Sequence, residues 1–111
     1  MDFAFDLPLT INGLTVGSIE MVATLVRGQE IGDWHVGLLE AVAIADGAII
    51  QTPLRAPHAS ETSFEAQCYF QAMHLVEQGA LAEKASQAFF EQNPDWMPSN
   101  DEHRLRTWEL V

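Results

Sequence analysis

Basic residues are the first thing this chain is short of. Five Lys and Arg stand against 16 Asp and Glu in 111 residues, for a formal net charge of −11. The acids are ordinary in number. Charged residues total 19%, below the roughly 25% usual in soluble domains, so the acidity comes from missing bases. A negative field of this kind argues against direct contact with nucleic acid, which needs cations to neutralise phosphates. It favours solubility and partners with a basic surface. A single cysteine, Cys68, excludes an internal disulfide framework and a cysteine-rich zinc site. No apolar run approaches the roughly 18 residues that would mark a membrane span. The opening Met1-Asp2-Phe3-Ala4-Phe5-Asp6 lacks the basic start of a signal peptide. A cytoplasmic setting without membrane contact is the default expectation. Gly-rich phosphate loops, Gly-x-Ser-x-Gly elbows, His-Glu-x-x-His pairs and internal repeats are absent too.

What is present is a globular composition, 48% apolar, in a chain of one-domain length. In residues 3–11 the odd positions Phe3, Phe5, Leu7, Leu9 and Ile11 are large and apolar, the period-2 pattern of a half-buried strand. Asn12-Gly13 follows, a pair suited to a type I′ turn. Residues 3–26 are therefore expected to form a hairpin with Ile11 opposite Leu14. A β-bulge at Gly17-Ser18 would return Ile19 and Met21 to the face of Leu7 and Phe5.

Residues 27–32 read as a loop. Trp34, Val36, Leu38, Val42 and Ile44 then alternate, with Glu40 in the same phase unless an irregularity near Gly37 re-aims it. Asp46-Gly47 is a second two-residue turn signal, followed by residues 48–52 as a strand. Leu38, Leu39, Val42 and Ala45 also fit one face of a helix over 38–45, but a strand is preferred because a hairpin signal and an Ile-Ile pair follow at once.

Two prolines make 53–60 a connection. After it the period changes to 3.6. Thr62, with Glu65 three residues on, fits a capping box, and Ser60 is a rival cap. Phe64, Cys68, Tyr69, Ala72, Leu75 and Val76 would line the inner side of a helix. Gly79 either ends or bends it, and Leu81, Ala85, Ala88 and Phe89 continue the pattern until Asn93-Pro94 stops it. In the tail, Ser99 to Glu102 repeats a capping pattern and Leu105 with Trp108 fits a short helix; a strand over 104–111 fits equally. The expectation is one α+β domain. An antiparallel meander of about four strands over 2–52 is covered on one face by one or two C-terminal helices over 61–92, with a tail over 93–111.

The opening Asp2 to Gly13, with its strand ending in Asn-Gly, and the later Asp33-Trp34-His35-Val36 run to Asp46-Gly47 resemble small phage- or prophage-encoded proteins of unknown function. The resemblance covers about the first half of the chain, and its hairpin signature is a common one. It implies a non-enzymatic accessory role and carries over no functional residue.

Asp33 and His35 would leave one face of a strand, and with Glu30 or a further histidine they could hold a metal or trade a proton. A polar strand end is the plainer reading, because only two ligands have the spacing. Glu40 would be a desolvated carboxylate if it faced the core. His58, His74 and His103 read as surface histidines, and Cys68 as a buried, unreactive thiol. Trp96, Met97 and Trp108 form the candidate partner-binding patch, since aromatics and Met are enriched at interfaces, though they would serve as well to pin the tail.

Three functions follow in order. The first is a non-enzymatic accessory or binding protein, directed at a host complex with a basic surface, with a homodimer among its assemblies. The second is an acidic mimic of nucleic acid that occupies a DNA-binding protein. The third is a small hydrolase or metal-dependent enzyme using Asp33, His35 and Glu40. No cofactor is called for.

Overall fold

Alternation in the first 53 residues builds one antiparallel sheet, of strand order β1-β2-β3-β4. The strands are β1 Asp2–Ile11, β2 Leu14–Arg27, β3 Trp34–Ala45 and β4 Ala48–Pro53. Two helices follow, α1 Phe64–Glu77 and α2 Ala82–Gln92, and then a 3₁₀ turn at Pro94–Trp96. This computed structural model describes residues 1–97. The capping pattern at Ser99 to Glu102, His103, the helix or strand expected for the tail, and Trp108 lie outside the described residues. The α+β meander with C-terminal helices on one face is the observed architecture.

Both two-residue turns have the left-handed backbone their sequences suggested. Asn12 and Gly13 have φ of 49° and 81°, and Asp46 and Gly47 have 52° and 77°. Ile11 pairs with Leu14, Leu7 with Ile19 and Phe5 with Met21. The bulge comes earlier than Gly17-Ser18: Leu9 pairs with Gly17 and Thr10 with Thr15, so Val16 is the extra residue. A second irregularity lies in β3, where Thr24 pairs with Leu38 and Leu25 with Val36, which leaves Gly37 unmatched. That bulge keeps Val36 and Leu39 in the core and turns Glu40 to the open face, between Val22 and Pro53. Glu40 is thus half-buried among sheet neighbours and does not enter the core.

The core joins Phe5, Leu7, Met21, Ala23, Leu25, Val36 and Leu39 of the sheet to Cys68, Ala72, Val76, Ala85 and Phe89 of the helices. The cap of α1 is Ser63, whose Oγ accepts the Ala66 N–H at 3.2 Å; neither Thr62 nor Ser60 fills that place. Phe64 is therefore the first helical residue, at the end of α1 beside the first hairpin. Ala66 is buried and Phe64 is exposed, against the inner position expected for it. Gly79 lies in the break between the helices. The His74 carbonyl accepts both the Gln78 and the Gly79 N–H, and a Cβ on Gly79 would meet the Leu75 Cα at 3.0 Å.

Two of the scarce cations are used inside the fold. Arg27 at the end of β2 donates to both carboxylate oxygens of Asp95 (2.9 and 3.0 Å) and to Asn93 Oδ1, and lies over the Trp96 ring at 4.9 Å. Arg55 donates to Glu61 within the connection between β4 and α1. Of the described bases this leaves Lys84 outside any ion pair among the described residues.

Candidate docking site

Length mismatch decides what the fold leaves open. The 14 residues of β2 extend to roughly 48 Å at ~3.4 Å each. The 14 residues of α1 reach only about 21 Å at ~1.5 Å each. A helix layer of that length cannot cover such strands. The β2–β3 ladder ends at Met21↔Ala41, and beyond it each hairpin continues alone. The sheet therefore ends in a fork, with both turns at the end opposite the 28–33 loop.

Hairpin β1–β2 carries its uncovered apolar residues to that end. Ile11, Leu14 and Val16 are 61%, 70% and 60% exposed, and Phe64 at the start of α1 is 66% exposed. Clefts open on both sides of the helix. One, of about 270 Å³, lies between Leu9, Ile11 and Val16 of the hairpin and Phe64, Cys68 and Gln71. A second, of about 130 Å³, adjoins it across Phe64 and Cys68 and reaches Ile19, Ala41 and Leu54. A third, about 420 Å³, runs between Leu7, Pro8 and Thr10 and the far side of α1 at Phe70, His74 and Leu75. Glu65 and His74 are the ionisable residues of these walls besides Cys68.

Such a surface can bind apolar chain, and among the described residues it holds no assembled chemistry. Burial pushes the Cys68 thiol up from its ordinary value, the opposite of what a nucleophile needs. Among the described residues, the clefts that Cys68 lines contain no cation to stabilise a thiolate. Asp33 sits in the turn before β3, where its carbonyl accepts the Gly28 N–H at 2.8 Å and the Trp96 indole N–H at 2.7 Å. His35 is exposed on the open sheet face. Glu40 shares that face but lies five residues along, roughly 16 Å away at the rise of a strand. The three residues of the enzyme reading are not brought together. Among the described residues no group of three or more His, Cys, Asp or Glu could hold a metal.

The tail patch lies at the other end of the sheet. Trp96 is half-buried and held by Asp33 and Arg27, and Met97 beside it is exposed. Trp108, the third residue of that patch, falls outside the described residues. Ile11, Leu14, Val16, Phe64 and Phe70 were not singled out by sequence. The available signal was strand length, since hairpins this long outrun two short helices.

The described acids are dispersed. Asp2, Asp6, Glu20 and Glu40 share the open sheet face, Glu65, Glu77, Glu83 and Glu91 lie on the helices, and Glu30, Asp33, Asp46, Glu61 and Asp95 in loops and turns. No described helix is long and apolar enough to cross a membrane. Comparison of the chain with known family models, curated proteins and solved structures finds no match.

Proposed function

We propose that this protein is a non-enzymatic binding protein. It docks an apolar segment of a protein partner along the free end of hairpin β1–β2 and the clefts beside α1. The observation that supports this is the group of exposed apolar residues Ile11, Leu14, Val16, Phe64 and Phe70 around those clefts. Contiguous apolar surface of this kind marks binding sites in soluble proteins. The partner's segment is apolar with basic flanks. A net charge of −11 attracts bases at long range, and among the described residues the cleft walls offer Glu65 and no Lys or Arg.

The setting that fits is cytoplasmic. A non-enzymatic accessory role is what the resemblance to small phage-encoded proteins implies, and a host complex with a basic surface is the partner proposed for it. Met97, beside the pinned Trp96, and Trp108 provide a second apolar patch for the same partner. Nucleic-acid mimicry draws no support from carboxylates scattered over both layers and the loops, since mimicry needs a continuous acidic face.

The test is site-specific photo-crosslinking in cells that carry the gene. A photoreactive residue at Leu14 should capture one discrete partner, and the same residue at His35, on the open sheet face, should not. Equal capture from both positions, or from neither, would sink the proposal.

A further inference from the structure

The two outer edges of the sheet are built differently. β1 places Asp2, Asp6 and Pro8 along its length, and charge and proline are the devices that keep edge strands from pairing with other chains. β4 has the sequence Ala48-Ile49-Ile50-Gln51-Thr52-Pro53, with no charge anywhere and proline only at its last position. Every residue of β4 is exposed, Ile49 and Ile50 included. It pairs with β3 on one side, and the described chain lays no strand along the other.

We infer that β4 is a self-association edge, pairing antiparallel with β4 of a second copy of this chain to give a continuous eight-stranded sheet. Charge chooses the occupant. Two copies at −11 repel each other on every acidic surface, so they can approach closely only where charge is absent. The same neutrality gives a basic partner nothing to hold. A two-fold axis at Ile50 matches the strand to itself, setting Ile50 against Ile50, Ile49 against Gln51 and Ala48 against Thr52 of the other copy. No like charges meet, and proline does not enter the paired stretch. Such an axis runs through the sheet plane, so both helix layers lie on one side. The clefts beside α1 stay open, and this inference does not depend on the docking function proposed above.

Six residues of edge bury less than the ~1,200 Å² of a standard stable interface. The dimer is therefore weak and concentration-dependent. Because repulsion between copies opposes it, salt strengthens it.

Sedimentation equilibrium on the full chain tests this. Raising ionic strength from about 0.01 M to about 1 M shrinks the Debye length from ~30 Å to ~3 Å and should lower the dimer Kd by about tenfold or more. The double variant I49K/Q51K puts lysine opposite lysine and should be monomeric, as should I49E/Q51E, with circular dichroism unchanged because both positions are exposed. Mixing the two variants should restore a one-to-one heterodimer, since each Lys then faces a Glu. Hydrogen exchange should show protection of alternate β4 amides on dimerisation. A monomer at all salt concentrations, homodimers of I49K/Q51K as tight as the parent's, or no recovery on mixing would each overturn the inference.

Discussion

The Glu77 carboxylate, in the last residue of α1, accepts the backbone N–H of Val36 at 2.9 Å, immediately before the bulge at Gly37. A bulge in an antiparallel ladder leaves backbone groups unmatched, and Val36 is in the core. The helix thus supplies from its C-terminus the acceptor that β2 does not. That bond fixes where α1 ends on the sheet, and so where its other end stands. Phe64 is consequently beside the first hairpin, next to Leu9, Ile11 and Val16.

Loss of that acceptor should be costly. Glu77→Ala removes the acceptor of the part-buried Val36 N–H, a change worth about 1 kcal/mol or more. Glu77→Gln keeps a neutral acceptor and should recover most of the loss. Urea melts of the three proteins measure it, and equal midpoints would show that the bond contributes nothing to stability.

Gly13 and Gly47 have φ of 81° and 77°, with open space where a Cβ would go. Replacement by valine therefore tests backbone strain and not crowding. Gly13→Val and Gly47→Val should each cost on the order of 1–3 kcal/mol, because a β-branched residue is strained at positive φ. Thermal melts check this against Ser18→Val on the exposed part of β2, which should change little.

The turns were legible because Asn-Gly and Asp-Gly each have one strongly preferred geometry between alternating strands. So was most of the pairing: Phe5, Leu7, Ile19 and Met21 announce their common face by period. The bulge was misplaced by one residue because Val16 continues the alternation of Leu14, so the break in phase shows only at Gly17. Thr62 and Ser63 are both good caps, and Ser63, in extended backbone, is the one that accepts the Ala66 N–H. Glu40 could not be placed from sequence, since Gly37 allows a bulge without requiring one. The docking surface was the least legible part. Exposure of Ile11, Leu14 and Phe64 depends on how far two helices reach along the sheet, a property of the assembled layers.

Acid should loosen the connection before α1. The His58 N–H, joined by the Arg55 guanidinium, holds the Glu61 carboxyl below its ordinary value, against a smaller opposing effect of burial. A lowered folded pKa means that Glu61 stabilises the fold above its unfolded pKa. The contribution disappears as pH falls through the folded value. Glu61→Gln should therefore melt below the parent at neutral pH, with the two curves converging in acid. A gap that stays constant with pH would mean ionisation of Glu61 is not involved.

Cys68 should be inert in the folded protein. Burial raises its pKa, so folding favours the neutral thiol. That contribution is complete below the unfolded pKa and declines as pH rises through the folded one. A thiol reagent should label slowly at neutral pH, faster in alkali, and at the rate of a free thiol in denaturant. Rapid stoichiometric labelling of the native protein at neutral pH would place the sulfur in solvent.

Binding kinetics separate the two apolar patches and the role of charge. If the partner docks at the hairpin, Ile11→Ser with Leu14→Ser should raise the dissociation rate by about tenfold or more, since burial of each such side chain is worth about 1.5–3 kcal/mol. Both positions are exposed, so the melting temperature should hold. Removing residues 97–111 leaves the Arg27–Asp95 pair and the Trp96 contact with Asp33 in place. It should weaken binding only by what Met97 and Trp108 add. Salt should slow association by screening the −11 field and leave dissociation nearly unchanged, because apolar contact holds the complex. Full affinity in the hairpin variant with loss in the truncated protein would move the site to the tail. An affinity that falls steeply with salt and survives both changes would instead indicate recognition through the acids, as mimicry of nucleic acid requires.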